Sequence, residues 1–147
     1  MEVINDISLK NIDISIADRK IIKDFNYNFL KNKKYLITGT SGSGKSTLLK
    51  AIVGIVDIEN GNLIANNIEI NQNNFLSFRD KIDYIDQNIY LFKQSIAYNM
   101  YNQKQILILD ELTANLDSIK KNDIEKLVLS QKGKTAIMVS PNFTEEN

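Results

Sequence analysis

The chain has no cysteine, no histidine, no tryptophan and a single proline among its 147 residues. Without cysteine there can be no disulfide, and such usage is at home in a reducing cytoplasm. No apolar run approaches the roughly 20 residues that cross a bilayer. Met1-Glu2-Val3-Ile4-Asn5-Asp6 reads as no signal peptide. Any membrane role is therefore expected to pass through a partner. Neither sign of charge dominates, because 18 lysines and arginines face 18 aspartates and glutamates. That balance argues neither for nor against nucleic acid. The densest like charge, Lys31-Asn32-Lys33-Lys34, reads as a solvated turn before a strand. The length allows one domain with a sizeable core and is short for two.

Glycine is scarce too, six in all, yet three of them stand at positions 39, 42 and 44. They belong to Lys34-Tyr35-Leu36-Ile37-Thr38-Gly39-Thr40-Ser41-Gly42-Ser43-Gly44-Lys45-Ser46-Thr47-Leu48-Leu49, an apolar strand, a loop and the start of a helix. The loop fits G-x-x-x-x-G-K-[ST], the pattern that cradles nucleotide phosphates. Glycine lets the backbone turn tightly and bring its N–H groups to an anion with no Cβ in the way. The helix that starts near Lys45 adds the positive end of its dipole and its unpaired N–H groups. Lys45 can reach β- and γ-phosphates, and the Ser46 hydroxyl is placed to ligate Mg²⁺. A glycine-rich turn that fits the pattern by accident is the bland reading. The strand and helix on the correct sides weigh against it.

Hydrophobic patterning supplies the rest of the frame. Ile12, Ile14 and Ile16 alternate with polar residues, as do Phe25, Tyr27 and Phe29. The spacing predicts two half-buried antiparallel strands around a turn at Ala17-Asp18-Arg19-Lys20. A helix is predicted from Lys45 to about Val56, with Gly54 as a close-packing or C-terminal position. A small hairpin is predicted from Leu63-Ile64-Ala65 through Asn66-Asn67 to Ile68-Glu69-Ile70, followed by a short strand Ile82-Asp83-Tyr84-Ile85. Ile106-Leu107-Ile108-Leu109 and Ala136-Ile137-Met138-Val139 are continuous apolar runs, the mark of strands buried on both faces. Between them, Asp117 or Ser118 can cap a helix to about Leu129 that buries Ile124, Leu127 and Val128. The predicted class is α/β: a P-loop NTPase core with a mainly parallel sheet and an N-terminal antiparallel β portion.

Asp110 and Glu111 end the strand of residues 106–109. Carboxylates at the tip of an apolar strand are costly to desolvate, so they meet a cation or solvent at the sheet's carboxyl edge. Beside a P-loop this pair reads as a Walker B element. Asp110 would hold Mg²⁺ and Glu111 would act as general base on the attacking water. An acidic turn after a strand is the structural alternative.

With these motifs in order, the chain resembles the nucleotide-binding, or ATP-binding, domains of ABC transporters, and among them the exporter type. Gly39 to Thr47 (Gly39, Thr40, Ser41, Gly42, Ser43, Gly44, Lys45, Ser46, Thr47) is similar to Walker A. Asp83 to Phe92 is similar to the Q-loop stretch, with Gln87 as the glutamine that touches Mg²⁺ and the attacking water. Ser95 to Met100 resembles the segment that follows it. Leu109 to Asp117 resembles Walker B running into the D-loop, and Lys134 to Ser140 the strand before the switch histidine. The resemblance implies ATP and Mg²⁺ as ligands, with metal contacts from Ser46, Gln87 and Asp110 and catalytic roles for Gln87 and Glu111. It also implies a transmembrane permease partner, an ABC-domain dimer partner, no nucleic acid, and a place at the inner face of the cell membrane. Tyr90, Leu91, Phe92, Tyr98 and Tyr101 fall where family members dock on that permease. The same five residues could instead pack on the chain's own core.

Departures from the family pattern bear on activity. Only Tyr101-Asn102-Gln103-Lys104-Gln105 separates Met100 from Ile106, where the family carries a helical subdomain and its signature loop. Leu129-Ser130-Gln131-Lys132-Gly133 echoes that signature by chance, since it follows Walker B. Pro141 stands where the switch histidine is expected, and proline offers no donor to a γ-phosphate. Ile16 aligns with the aromatic residue that stacks on adenine and has no π-face to offer. By the same resemblance, the strands that finish the domain in the family are expected to be lacking after Asn147. The expectation is ATP binding with impaired turnover. The alternative is a degenerate nucleotide-binding module, a gene remnant or a regulatory chain. A small-molecule kinase would need an arginine-bearing lid, and Arg19 and Arg79 lie in no such segment.

Overall fold

A computed structural model of the chain describes residues 1–40, 42–86, 104–110 and 118–139. Strands β1 (Asp6–Ile16) and β2 (Arg19–Leu30) form an antiparallel hairpin. Its turn is tighter than the spacing implied: only Ala17 and Asp18 lie between the strands, both at positive φ, the geometry of a two-residue primed turn. Both strands also extend further from that turn than alternation indicated. In β1 the buried face runs through Ile7 and Leu9, then shifts parity to Ile12 and Ile14. A bulge between Leu9 and Ile12, with Asn11 at φ 51°, makes that change of face. In β2 a left-handed residue, Asp24, answers it. Side chains then pin the irregularity: the Asn11 N–H donates to Asn26 Oδ1 at 2.9 Å, and the Asp24 N–H donates to Asp13 Oδ1 at 2.7 Å.

β3 (Lys34–Ile37) leaves this sheet and leads through the glycine loop to helix α1 (Lys45–Ile52). The helix ends at Ile52, short of the expected Val56, and Gly54 is the reason. At φ 77° it reverses the chain. Gly54 N–H then donates to the Ala51 carbonyl, and Ile55 N–H to that of Lys50 at 2.8 Å. This pair of bonds is a Schellman closure. A Cβ on Gly54 would also lie 2.3 Å from the Phe75 ring, so the position serves both close packing and helix termination. β4 (Asn60–Ala65) pairs antiparallel with β1, and β5 (Ile68–Glu69) folds back on it through Asn66-Asn67. The first sheet therefore has the order β2-β1-β4-β5.

A five-residue helix follows, α2 (Phe75–Arg79), which no periodicity announced. It buries Phe78 completely while Leu76 stays 79 % exposed. β6 (Ile82–Ile85), β7 (Ile106–Asp110), helix α3 (Ser118–Ser130) and β8 (Thr135–Val139) complete the described elements. The second sheet is parallel throughout, in the order β3-β8-β7-β6. All five residues of β7 are buried, as a strand covered on both faces requires. The α/β class with a parallel core and an antiparallel N-terminal portion is thus observed.

One apolar core joins the two sheets through α1, with Ile14, Leu49, Ile52, Phe78, Ile108 and Ile137 in one cluster. A second, smaller cluster lies against α3, where Val128 meets Ile85, Leu107, Leu109 and Ala136. Val128 is fully buried and Leu127 partly so, as the helical spacing predicted; the Ile124 side chain lies outside the description. Among the described residues no helix is long and apolar enough to cross a membrane. Because the four parallel strands run the same way, the glycine loop after β3 and Asp110 at the tip of β7 share one sheet edge.

Gly61 shows how tightly the bulge is fitted. At φ 92°, a Cβ there would lie 2.3 Å from the Asn11 carbonyl oxygen and 2.4 Å from that of Lys10. Gly133 shares the left-handed region at φ 74°, but a Cβ there meets no described atom within 4 Å. Gly61→Ala should therefore lower unfolding free energy by about 2–4 kcal/mol, and Gly133→Ala by about 1 kcal/mol, in urea titrations. Equal losses would refute the reading of the bulge.

Candidate nucleotide site

The loop after β3 is shaped by its glycines in different ways. Gly44, at φ 94°, is the N-cap of α1. A Cβ on it would press into Ile21 Cγ2 at 2.9 Å and Ile22 Cγ1 at 3.2 Å. The antiparallel sheet thus leans on the loop through β2, and only glycine leaves room for that contact. Gly42, at φ 79°, has no described atom within 4 Å of a Cβ position. The Ser43 N–H donates to the Thr40 carbonyl at 3.2 Å and closes the turn.

Lys45 opens α1 and folds back over the loop. Its ammonium donates to the Gly39 carbonyl at 2.9 Å, to the Thr40 carbonyl at 2.7 Å and to Ser43 Oγ at 3.3 Å. The residue is only 7 % exposed. A buried ammonium needs such acceptors, and here the loop's own oxygens supply them. Ser46, one residue on, points to the sheet: its hydroxyl donates to Asp110 Oδ1 at 2.6 Å. Thr47 lies in the same first turn of the helix.

Asp110 is 2 % exposed at the tip of β7. Its second oxygen accepts from the Tyr84 hydroxyl of β6 at 3.1 Å. Burial first, and then the charge of Asp110, push the Tyr84 phenol above its ordinary value, so it remains a neutral donor. Among the described residues no cluster of three aspartate, glutamate, cysteine or histidine side chains could cage a metal. The site instead offers one hydroxyl and one carboxylate in direct contact. That is the sparse set of hard oxygens on which Mg²⁺ sits when phosphates and water complete its shell. The residues present therefore fit the metal.

A cavity of about 540 Å³ adjoins the loop, between β2 and β3. It runs from Lys45 and Gly44 past Ile22 to the rings of Phe25, Tyr27 and Tyr35. Tyr27 and Phe29 stand 4.8 Å apart, and Phe29 meets Tyr35 edge-on at 5.0 Å. Ile16 lies at the end of β1, opposite Arg19 and 45 % exposed. The side chains packed on Gly44 are Ile21 and Ile22, which sequence reasoning did not single out; their nearness to the loop needs the folded sheet.

The structure therefore joins Gly39, Thr40, Gly42, Ser43, Gly44, Lys45, Ser46 and Asp110 at one edge. Ser41, Gln87 and Glu111 lie outside the described residues, as do Tyr90, Leu91, Phe92, Tyr98, Tyr101, Asp117 and Pro141. β6 does pair directly with β7, so the strand before Gln87 neighbours the strand that carries Asp110.

A glycine loop between a parallel strand and a helix, with a serine bonded to a strand-tip carboxylate, defines a P-loop nucleotide-binding core. The chain belongs to the ABC transporter family, whose family model matches residues 22–138, and the match falls on the ATP-binding domain. It is 31 % identical over 124 residues to a probable ABC transporter ATP-binding/permease protein of Haemophilus influenzae, over 84 % of this chain and 22 % of that one. It is 30 % identical over 146 residues to the energy-coupling factor transporter ATP-binding protein EcfA of Onion yellows phytoplasma, over 89 % of this chain and 53 % of that one. The chain thus spans about a fifth and about half of these relatives. The solved structure of a bacterial Atm1-family ABC exporter with ATP bound shares the fold, with a TM-score of 0.75 at 18 % identity, over 94 % of this chain and 35 % of that one.

The Tyr84–Asp110 contact makes a prediction about alkali. The folded phenol titrates above the ordinary value of 10.0, so this group's contribution to stability is whole below about pH 10. It is lost as pH rises toward the folded value. Melting temperature of the wild type should fall more steeply above pH 10 than that of Tyr84→Phe. Parallel curves would contradict the assignment.

Proposed function

We propose that this chain is the MgATP-binding domain of an exporter-type ABC transporter, acting beside a membrane permease at the inner face of the cell membrane. The observation that carries it is the Ser46–Asp110 bond of 2.6 Å, which links the phosphate loop to the one buried carboxylate among the described residues. The name of the Haemophilus relative joins ATP-binding and permease in one protein, which supports the partner.

In this reading the amides of Gly39 to Thr47 hold the phosphates. The ammonium of Lys45 exchanges the Gly39 and Thr40 carbonyls for β- and γ-phosphate oxygens. Ser46 and Asp110 hold Mg²⁺, with Gln87 as a further ligand. When bound, the ion neutralises charge that develops on the phosphoryl oxygens. Glu111 takes the proton of the attacking water, and Gln87 helps to orient that water. Ile16, with Ile21 and Ile22 beside the loop, gives the base an apolar rather than an aromatic neighbour.

Turnover by the chain alone is low in this proposal. The short connection at 101–105 leaves no room for a helical subdomain with its signature loop. Pro141 cannot donate to a γ-phosphate. Loss of such a donor costs about 10²–10³ in rate, and a missing activating group supplied in trans costs about 10³–10⁵. The second reading, a degenerate module that binds ATP without hydrolysing it, rests on the same two features. One pair of measurements tests both. Lys45→Ala should weaken MgATP binding by at least about tenfold in calorimetry. The wild type should turn over at least about 10²-fold more slowly than ABC domains that keep the histidine. Unchanged affinity in Lys45→Ala sinks the nucleotide site; ordinary turnover by the isolated chain sinks the argument from missing parts.

A further inference from the structure

We propose that Tyr84 is a positioning residue for the metal half of this site, fixing the carboxylate of Asp110 in the plane from which it serves the ion. The inference rests on the MgATP reading above and goes beyond it, because sequence reasoning placed Tyr84 in a strand and in the stretch similar to the Q-loop but gave it no role.

A carboxylate at a strand tip has two free torsions, and a single hydrogen bond leaves it a hinge to turn about. Asp110 has two anchors, one on each oxygen. Ser46 on α1 donates to Oδ1, and Tyr84 on β6 donates to Oδ2. Two bonds from rigid elements define the plane of the group. The Tyr84 ring is itself held, since it packs on the main apolar core and its strand pairs with β7, Tyr84 opposite Ile108.

The choice of donor matters as much as its place. Lysine or arginine could reach the same oxygen, but its positive charge would oppose a divalent cation at the neighbouring one. A phenol that stays neutral orients the carboxylate without that repulsion. It also leaves the unshared lone pairs of Asp110 for metal-bound water. Hydrogen bonds to a metal-holding carboxylate are worth about 10–100-fold in metal affinity or activity.

The test separates metal binding from nucleotide binding. Mn²⁺, the paramagnetic substitute for Mg²⁺, is titrated by electron paramagnetic resonance into the chain with saturating ATP. ATP affinity is measured separately in EDTA. Tyr84→Phe, and Tyr84→Leu as a second variant without the hydroxyl, should weaken Mn²⁺ binding about tenfold while metal-free ATP affinity changes less than about twofold. In an Asp110→Asn background, Tyr84→Phe should add nothing further. Equal losses with and without metal mark a merely structural role and overturn the proposal. So does unchanged Mn²⁺ affinity in a variant that binds ATP normally, or a full loss that persists in Asp110→Asn. Failure of the wild type to bind ATP in either condition overturns the nucleotide reading itself, and this inference with it.

Discussion

The hydrogen bond from Ser46 to Asp110 is the contact on which the rest of the site depends. It ties the first turn of α1 to the tip of β7, two elements separated by 64 positions in the chain. In the sheet, β8 stands between β7 and the strand that leads into α1. Asp110 in particular needs such a donor. The carboxylate is almost wholly buried and would carry a large desolvation cost without donors. The serine, once turned to the sheet, fixes the rotation of α1 about its axis and so the direction in which Lys45 leaves the helix. In the proposed MgATP reading the lysine and the metal-holding oxygens must face one another, and this bond would set that relation.

The antiparallel sheet is part of the same construction. Its bulge at Asn11 shifts the parity of β1, so that no single alternation describes the strand. Leu9 and Ile14 both reach the core, one on each side of the bulge. The second strand of the sheet rests Ile21 and Ile22 against Gly44, so the loop is braced where it enters the helix. Surface polar bonds hold the irregular stretch in register: Asp13 takes the Asp24 N–H, an amide of Asn60 and the ammonium of Lys20. These exposed pairs are individually weak. Their use is to specify which residues oppose one another where the ladder is broken.

Much of this was legible in the sequence, and the limits of legibility have physical causes. The loop from Gly39 to Thr47 was readable because phosphate cradles demand glycine and lysine at fixed spacing. β7 and β8 were readable because two covered faces leave the runs 106–109 and 136–139 wholly apolar. The full lengths of β1 and β2 were not, because Asn11 and Asp24 interrupt the period-two pattern that announces a strand. α2 escaped notice because five residues offer barely one turn of periodicity, and its most exposed apolar member, Leu76, faces solvent. Tyr84 and the pair Ile21-Ile22 could be placed only once strands distant in sequence were laid side by side.

The way Lys45 is held in the folded chain carries a thermodynamic consequence. Its ammonium already has three oxygen partners within the loop. Capture of a triphosphate is then an exchange of acceptors, with bonds broken as well as made. In the proposed MgATP reading, that exchange would reduce the net heat released on binding. In return, the Gly39 and Thr40 carbonyls and the Ser43 hydroxyl solvate a cation that would otherwise seek water.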